Sequence, residues 1–308
     1  MESPFHGVRA RRLDATSQDA EESDEPLALD RAVQRRVLRD ARAYAAVMPP
    51  GAMFVGRTAA VLFGLPVAHR DVLDVGAVAP VRAPRARGVR GVKVEQHLVS
   101  MRLLDGLPVS CPASTWAMLG RELSVRDLII AGDAVVCIPR GRHGVPLPGA
   151  RLATIEQLED AASAGPRRGA PRLRAALADI RAGSMSPPET AYRLDAAAAG
   201  LPTPDLDVEV RDANGRLLGI SEVVYSRWRV IVELEGDHHR TSRQQWLRDL
   251  DKYAAYSSHG WETVRLTSSH LRSGRAIPRV RDALRRHGWD PTRDSSPVKV
   301  SQMVASSA

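Results

Sequence analysis

Between residues 207 and 235 the chain alternates apolar and polar side chains at the two-residue period of a strand, and two turn signals interrupt it. Asp212-Ala213-Asn214-Gly215 supplies the first turn and Ser226-Arg227 the second, so the spacing predicts a three-stranded meander over 207–210, 217–225 and 228–235. In the last strand Val230, Val232 and Leu234 point one way while Arg229, Ile231, Glu233 and Glu235 point the other, which predicts one core side and one wet side. A two-residue turn sets Tyr225 opposite Trp228, so Glu222 faces Ile231 and Glu233 falls on its diagonal, about 7–8 Å away at Cα. Glu222, Glu233 and Glu235 then share a face; a three-residue loop would reverse this parity.

Three carboxylates so placed repel one another and raise at least one pKa unless cations neutralise them. A divalent ion resolves this economically. Mg²⁺ (or Mn²⁺) prefers oxygen ligands, keeps waters and needs only a couple of carboxylates, so it is the cofactor expected at Glu222, Glu233 and Glu235. The competing reading is an exposed polar hairpin face whose acids pair with Arg216, Arg227 and Arg229. Beyond the strand, Gly236-Asp237-His238-His239 turns a histidine pair toward the carboxylates, where either could shuttle a proton, donate to phosphate or add a ligand.

Upstream, Ser186-Pro187-Pro188-Glu189 opens a helix that runs to about Ala199 and stops at Gly200. Glu189 three residues after Ser186 completes a capping box, a role that explains it without any chemistry. Downstream, a helix over 242–257 carries Trp246, Leu250 and Tyr253 on one face and Arg243, Arg248, Asp249 and Lys252 on others. A buried strand over 262–267 follows. Arg265, Arg272, Arg275, Arg279, Arg281, Arg285 and Arg286 then meet a single acid, Asp282, a pattern that suits a solvated helix or a phosphate backbone. Eight of the thirteen aromatic residues lie between 186 and 290, so this part has large side chains for a core of its own.

The rest of the 308 residues reads as follows. Residues 1–26 hold seven acids and little to bury, which predicts a disordered arm, and the Ser-rich residues 291–308 predict a disordered tail. A domain over 27–150 is expected to be α+β. Its helices are read at Leu29 to Ala41, 57–63, around 112–116 and over 125–136, and its strands over 73–78 and 92–96. The connection between those strands carries Arg82, Arg85, Arg87 and Arg90. Residues 151–185 read as a basic helical linker interrupted by Gly165, Pro166, Gly169 and Pro171. The fold class expected is α/β, with a mixed sheet flanked by helices at 186–290 and a smaller N-terminal domain.

No apolar run approaches the ~18 residues of a membrane span, and residues 1–12 lack the apolar core of a secretory signal, so no membrane contact and a cytoplasmic location are expected. Cys111 and Cys137 have neither disulfide nor zinc spacing. Net charge is +8, which favours a polyanionic partner such as nucleic acid. All but three of the 44 basic residues are arginine, however, as a GC-rich coding sequence would produce, so the placement of charge weighs more than its sum. Residues 108–138 show neither a nucleotide-binding glycine loop nor a nucleophile beside a base.

The order of these signals resembles a known family. Glu189 on a helix, Glu222 on a strand, Glu233-Leu234-Glu235-Gly236 with His239, Arg248-Asp249 on a helix, and Gly260-Trp261 before Val264-Arg265 resemble the very-short-patch-repair-like endonuclease domains of the PD-(D/E)XK (restriction-endonuclease-like) superfamily, over about 186–287. The resemblance implies a metal-dependent nuclease acting on DNA, with its metal-binding acids on the central hairpin. Carried over, Glu222 takes a position usually held by Asp, Glu233 is the acid of the second strand, Glu235 takes a position often Asp, His239 is the family's histidine, and Glu189 is the helix glutamate. Arg248, Arg265, Arg272 and Arg275 would meet the DNA. Two departures stand out: Glu222 is a methylene longer than Asp, and residue 235 is an acid where the wider superfamily has Lys, a cation that Lys252 could replace. The alternative is a non-catalytic DNA-binding or antitoxin-like regulator that retains a nuclease fold.

Residues 50–138 are similar to the body of abortive-infection-type antitoxins of type IV toxin–antitoxin systems, at Thr58-Ala59-Ala60, Gly64-Leu65-Pro66, Leu107-Pro108-Val109-Ser110 and Pro112-Ala113. That similarity implies a protein partner of toxin–antitoxin type. Too few residues precede Pro50 for a complete winged helix.

Overall fold

The computed structural model describes the backbone of residues 2–5, 8–10, 26–141, 144–235 and 243–294. The chain forms two compact units, one built from residues 1–136 and 152–180, the other from 137–151 and 181–308. Both are mixtures of helix and sheet, as the fold class requires, but the six-stranded sheet lies in the first unit and the four-stranded sheet in the second. The N-terminal part is therefore not the smaller one.

In the first unit, β1 (Glu2–Phe5) and β2 (Val8–Ala10) form a hairpin, and Phe5 is buried with its ring 5.1 Å from that of Tyr44. This corrects the reading of residues 1–26 as wholly disordered: one aromatic anchor outweighs the polar composition around it. Six of that segment's seven acids, from Asp14 to Glu25, lie outside the described residues. Helix α1 (Pro26–Ala45) buries Val37, Ala41 and Tyr44, spaced at three- and four-residue steps. Then come β3 (Ala52–Phe54), α2 (Gly56–Leu62), β4 (Leu73–Val78), β5 (Arg85–Ala86), β6 (Val89–Val94), β7 (Met101–Leu104) and β8 (Leu107–Ser110). The sheet order β5-β6-β4-β3-β8-β7 mixes parallel and antiparallel pairs.

Helices α3 (Pro112–Leu119) and α4 (Val125–Val136) complete this part, with Trp116 fully buried and its indole N–H donating to the Leu128 carbonyl at 2.9 Å. Residues 151–185, read as a linker, contain α5 (Ile155–Ser163) and α6 (Ala170–Leu177), which belong to the first unit's core. Leu158, Leu173, Ala176 and Ile180 are all buried there, and a Cβ on Gly132 of α4 would meet Ile180 Cδ1 at 2.3 Å. A few well-spaced apolar residues decide the matter against a basic surface.

In the second unit, α7 (Pro187–Ala198), β9 (Asp205–Arg211), β10 (Leu217–Tyr225) and β11 (Val230–Glu235) are followed by α8 (Arg243–Ser258), β12 (Glu262–Thr267), α9 (Ser268–Arg272) and α10 (Ala276–Arg286). The sheet order is β12-β11-β10-β9, with β11 and β12 parallel and the other pairs antiparallel. One face carries Val223, Tyr225, Val230, Val232 and Leu234 against Tyr192 of α7 and Val280 and Leu284 of α10. On the other, Val224 and Ile231 meet Tyr256 of α8. The predicted wet side is thus covered: Ile231 is fully buried and Glu233 is 7 % exposed. The predicted tail begins with an ordered turn at 291–294, in which Asp294 pairs with Arg227 at 2.8 Å; residues 295–308 lie outside the described residues. No helix among the described residues is long and apolar enough to cross a membrane.

Candidate metal and phosphodiester site

The hairpin between β10 and β11 closes with a longer turn than its sequence suggested. Tyr225 pairs with Val230, not Trp228, because Ser226–Trp228 forms a short 3-10 turn and Arg229 takes a left-handed conformation at φ 51°. Two residues have been added, so parity is kept. Continued by one step beyond Val223 and Val232, the register brings Glu222 directly opposite Glu233.

At this point the pleat breaks. Val223 and Leu206 belong to the face that packs on Tyr192, whereas Ser221 bonds Tyr256 and Val208 packs on the opposite face. The alternation therefore flips on both strands between positions two apart. Asp207, opposite Glu222 in the ladder, lies at φ 53°, a left-handed conformation that marks a bulge-like kink. There the Glu222 carboxylate takes a backbone role: Leu234 N–H donates to its Oε2 at 3.1 Å. Asp207 is held by Arg140, whose Nε donates to Oδ1 at 2.6 Å.

Glu233 sits on the side of α8. Lys252 Nζ donates to its Oε2 at 3.0 Å and Ser221 Oγ to its Oε1 at 2.7 Å. With its one proton committed to Glu233, Ser221 accepts from the Tyr256 hydroxyl at 2.9 Å. Burial pushes the Tyr256 phenol up to about 12, so it keeps that proton at neutral pH. The fit is tight: a Cβ on Gly219 would come 2.4 Å from Tyr256 Oη and 2.8 Å from Lys252 Cγ. A bare backbone at 219 lets the α8 side chains approach the strand.

Glu189 is buried at the start of α7. Its carboxylate accepts from Ser186 Oγ and from the Met185 N–H, both at 2.7 Å, so the capping role exists with Met185 as the backbone partner in place of Ser186. Burial raises its pKa, the two hydrogen bonds oppose this, and the charges of Asp207 and Glu233 raise it further. Glu222 is pushed up to about 8, first by burial and then by the Glu189 charge; Glu233 adds to the effect, while the Leu234 N–H and Lys252 work against it. Glu189, Glu222 and Glu233 are thus close enough to feel one another's charge.

Glu235 is drawn elsewhere: Arg265 of β12 binds its carboxylate and lies 5.1 Å from the Tyr253 ring centroid. His239 lies outside the described residues. Arg248 is exposed on α8, Arg272 and Arg275 are exposed around α9, and Arg275 Nε donates to Ser273 Oγ at 2.9 Å. Leu250, expected on the apolar face of α8, is 42 % exposed.

No family model, curated protein or solved structure matches the chain.

Among the described residues no three His, Cys, Asp or Glu side chains stand together as a ready metal cage. Mg²⁺ does not require one, since one or two carboxylates and several waters serve it. The donor set suits such an ion. Glu222 Oε1 has no hydrogen-bond partner among the described residues, and burial and like charge leave this carboxyl short of positive charge. Ser221, Tyr256 and Asp207 went unnoticed in the sequence; strand alternation had pointed Ser221 away from Glu233, and only the kink brings them together.

Proposed function

We propose that the second unit is a metal-dependent nuclease that hydrolyses DNA phosphodiester bonds, with Glu222 and Glu233 holding Mg²⁺ or Mn²⁺. The observation that carries this reading is the juxtaposition of Glu222, raised to about 8, with Glu233, bonded to Lys252 at 3.0 Å. A bound divalent ion would supply charge neutralisation at the scissile phosphate and an acidified water as nucleophile. Glu222 and Glu233 fix where that charge sits, because the Leu234 N–H orients the first carboxylate and Ser221 the second. Lys252 fills the place of the superfamily lysine from a different element, and its ammonium can turn from Glu233 to a phosphate oxygen. Glu189 acts on Glu222 through charge and so tunes when it gives up its proton. Glu235 would join only after leaving Arg265, and His239 retains its expected part as proton carrier. The PD-(D/E)XK resemblance supports the reading, as do the exposed Arg248, Arg272 and Arg275, which suit a phosphate backbone.

The pairing of Glu235 with Arg265 favours a second reading, a DNA-binding regulator of antitoxin type with a silent site. Incubation of plasmid and single-stranded DNA with Mg²⁺ or Mn²⁺ separates the two. Cleavage by the wild type that falls at least 100-fold in Glu233→Ala, with DNA affinity retained, is expected. Equal DNA binding with no cleavage by either protein would establish the regulator instead.

A further inference from the structure

The first unit holds a cleft of about 650 Å³ whose walls carry Arg70, Arg90, Arg121, Arg168 and Arg172 and one acid, Glu122. Glu122 is only 11 % exposed and receives four guanidinium groups. Arg90 Nη2 at 2.9 Å and Arg121 Nη2 at 3.4 Å reach Oε1, and Arg57 Nε at 3.0 Å and Arg70 Nη2 at 3.3 Å reach Oε2. Burial alone would raise the pKa of Glu122; hydrogen bonds from Arg90 and Arg57 reverse this and hold the carboxyl below its usual value. The one further acid in contact among the described residues is buried Asp74, which takes Arg90 Nε at 2.6 Å. Two carboxylates therefore face Arg57, Arg70, Arg90 and Arg121, with Arg168 and Arg172 exposed at the rim, and a large positive surplus remains.

The backbone adds to that surplus. Helix α6 begins at the cleft with Gly169 as its N-cap; its first turn has no acid and no side chain caps it, so the positive end of its dipole is left uncompensated there. Gly169 lies at φ 86°, and a Cβ on it would sit 2.1 Å from the Gly120 carbonyl oxygen. Only glycine permits this approach, which fixes the start of α6 against the turn that carries Arg121 and Glu122. Arg57, Arg70, Arg90 and Arg121 are thus held in place by Glu122 and Asp74 before any ligand arrives, which lowers the entropy lost on binding. Planar guanidinium groups match phosphate oxygens in two-pronged geometry. Among the described residues no aromatic side chain lines the cleft to stack a base.

We propose that this cleft is a phosphate-binding site, distinct from the nuclease centre, that holds the oxygens of phosphate esters or anhydrides without reading a base. The phosphates can come from a nucleic-acid backbone or from a free phosphorylated molecule. The test uses the full chain in EDTA, so that a divalent ion at the second unit plays no part. Pyrophosphate is titrated calorimetrically, and a short DNA duplex by fluorescence anisotropy over a range of salt, with the wild type, the Arg168→Gln/Arg172→Gln double variant and Glu233→Ala. Pyrophosphate affinity should fall at least tenfold in the double variant and stay unchanged in Glu233→Ala. A parallel loss of duplex affinity, with the slope of log K against log[salt] reduced by about 2, identifies the backbone as the source. Duplex binding unchanged beside lost pyrophosphate binding identifies a free phosphorylated molecule. Wild type that does not bind pyrophosphate, or a double variant that binds it equally well, overturns the proposal.

Discussion

Glu222→Gln is expected to raise the unfolding midpoint of the metal-free protein by roughly 5–10 °C at pH 8, and by almost nothing near pH 4. The folded carboxyl titrates near 8 against an ordinary value of 4.5, because burial and the Glu189 charge disfavour its ionised form. Between those two pH values the folded chain keeps a proton that the unfolded chain has lost. Stability from this group is therefore fully present below about 4.5 and declines as pH rises through 8. The whole difference amounts to about 4–5 kcal/mol, of which about 3 kcal/mol is already lost at pH 7. Glutamine keeps an oxygen for the Leu234 N–H and cannot ionise, so it escapes the loss. Thermal scans of both proteins from pH 4 to 9 in EDTA read this directly; parallel curves would refute the assignment. Millimolar Mn²⁺ should narrow the gap at pH 8, since the ion binds more tightly to, and so stabilises more, the chain that keeps the Glu222 carboxylate beside Glu233.

The second large effect runs the opposite way. Lys252→Met should cost about 2–4 kcal/mol at pH 7, because it strips the ammonium from a carboxylate that is 9 % exposed at its side chain and leaves the Ser221 hydroxyl as its one remaining partner among the described residues. Methionine retains most of the aliphatic stem that lies against Gly219, so loss of packing is minor. A divalent ion should shrink the cost by replacing the missing cation, and the variant should gain more stability from Mn²⁺ than the wild type does. Urea titrations with and without Mn²⁺ measure both; a variant that unfolds with the wild type would show that the pair is dispensable.

The sequence made the hairpin legible for a physical reason: alternation has a period of two, and an error of two residues in the turn leaves Val230, Val232 and Leu234 on one face and Ile231 and Glu233 on the other, as expected. Tyr225 meets Val230 instead of Trp228, yet Glu222 and Glu233 still come together. The kink at Asp207 and Glu222 was not legible, because it depends on one left-handed residue that need not be glycine. The wet side was misjudged for want of a partner: nothing local to Ile231 says that Tyr256 will cover it. In the first unit, helix 125–136 and strand 73–78 were found at their observed bounds, since both are apolar and clearly terminated. Strands Ala52–Phe54 and Met101–Leu104 are too short to show a period. Residues 155–177 concealed their core role behind Gly, Pro and Arg, with Leu158 and Leu173 as the buried anchors.

The central claim is that acids from neighbouring strands of the second unit gather one divalent ion. Electron paramagnetic resonance of Mn²⁺ titrated into the full chain tests it with no assumption about substrate. One site per chain, abolished in Glu233→Gln and weakened in Glu222→Gln, is the predicted result; Mn²⁺ that stays free, or binds equally to all three proteins, would contradict it.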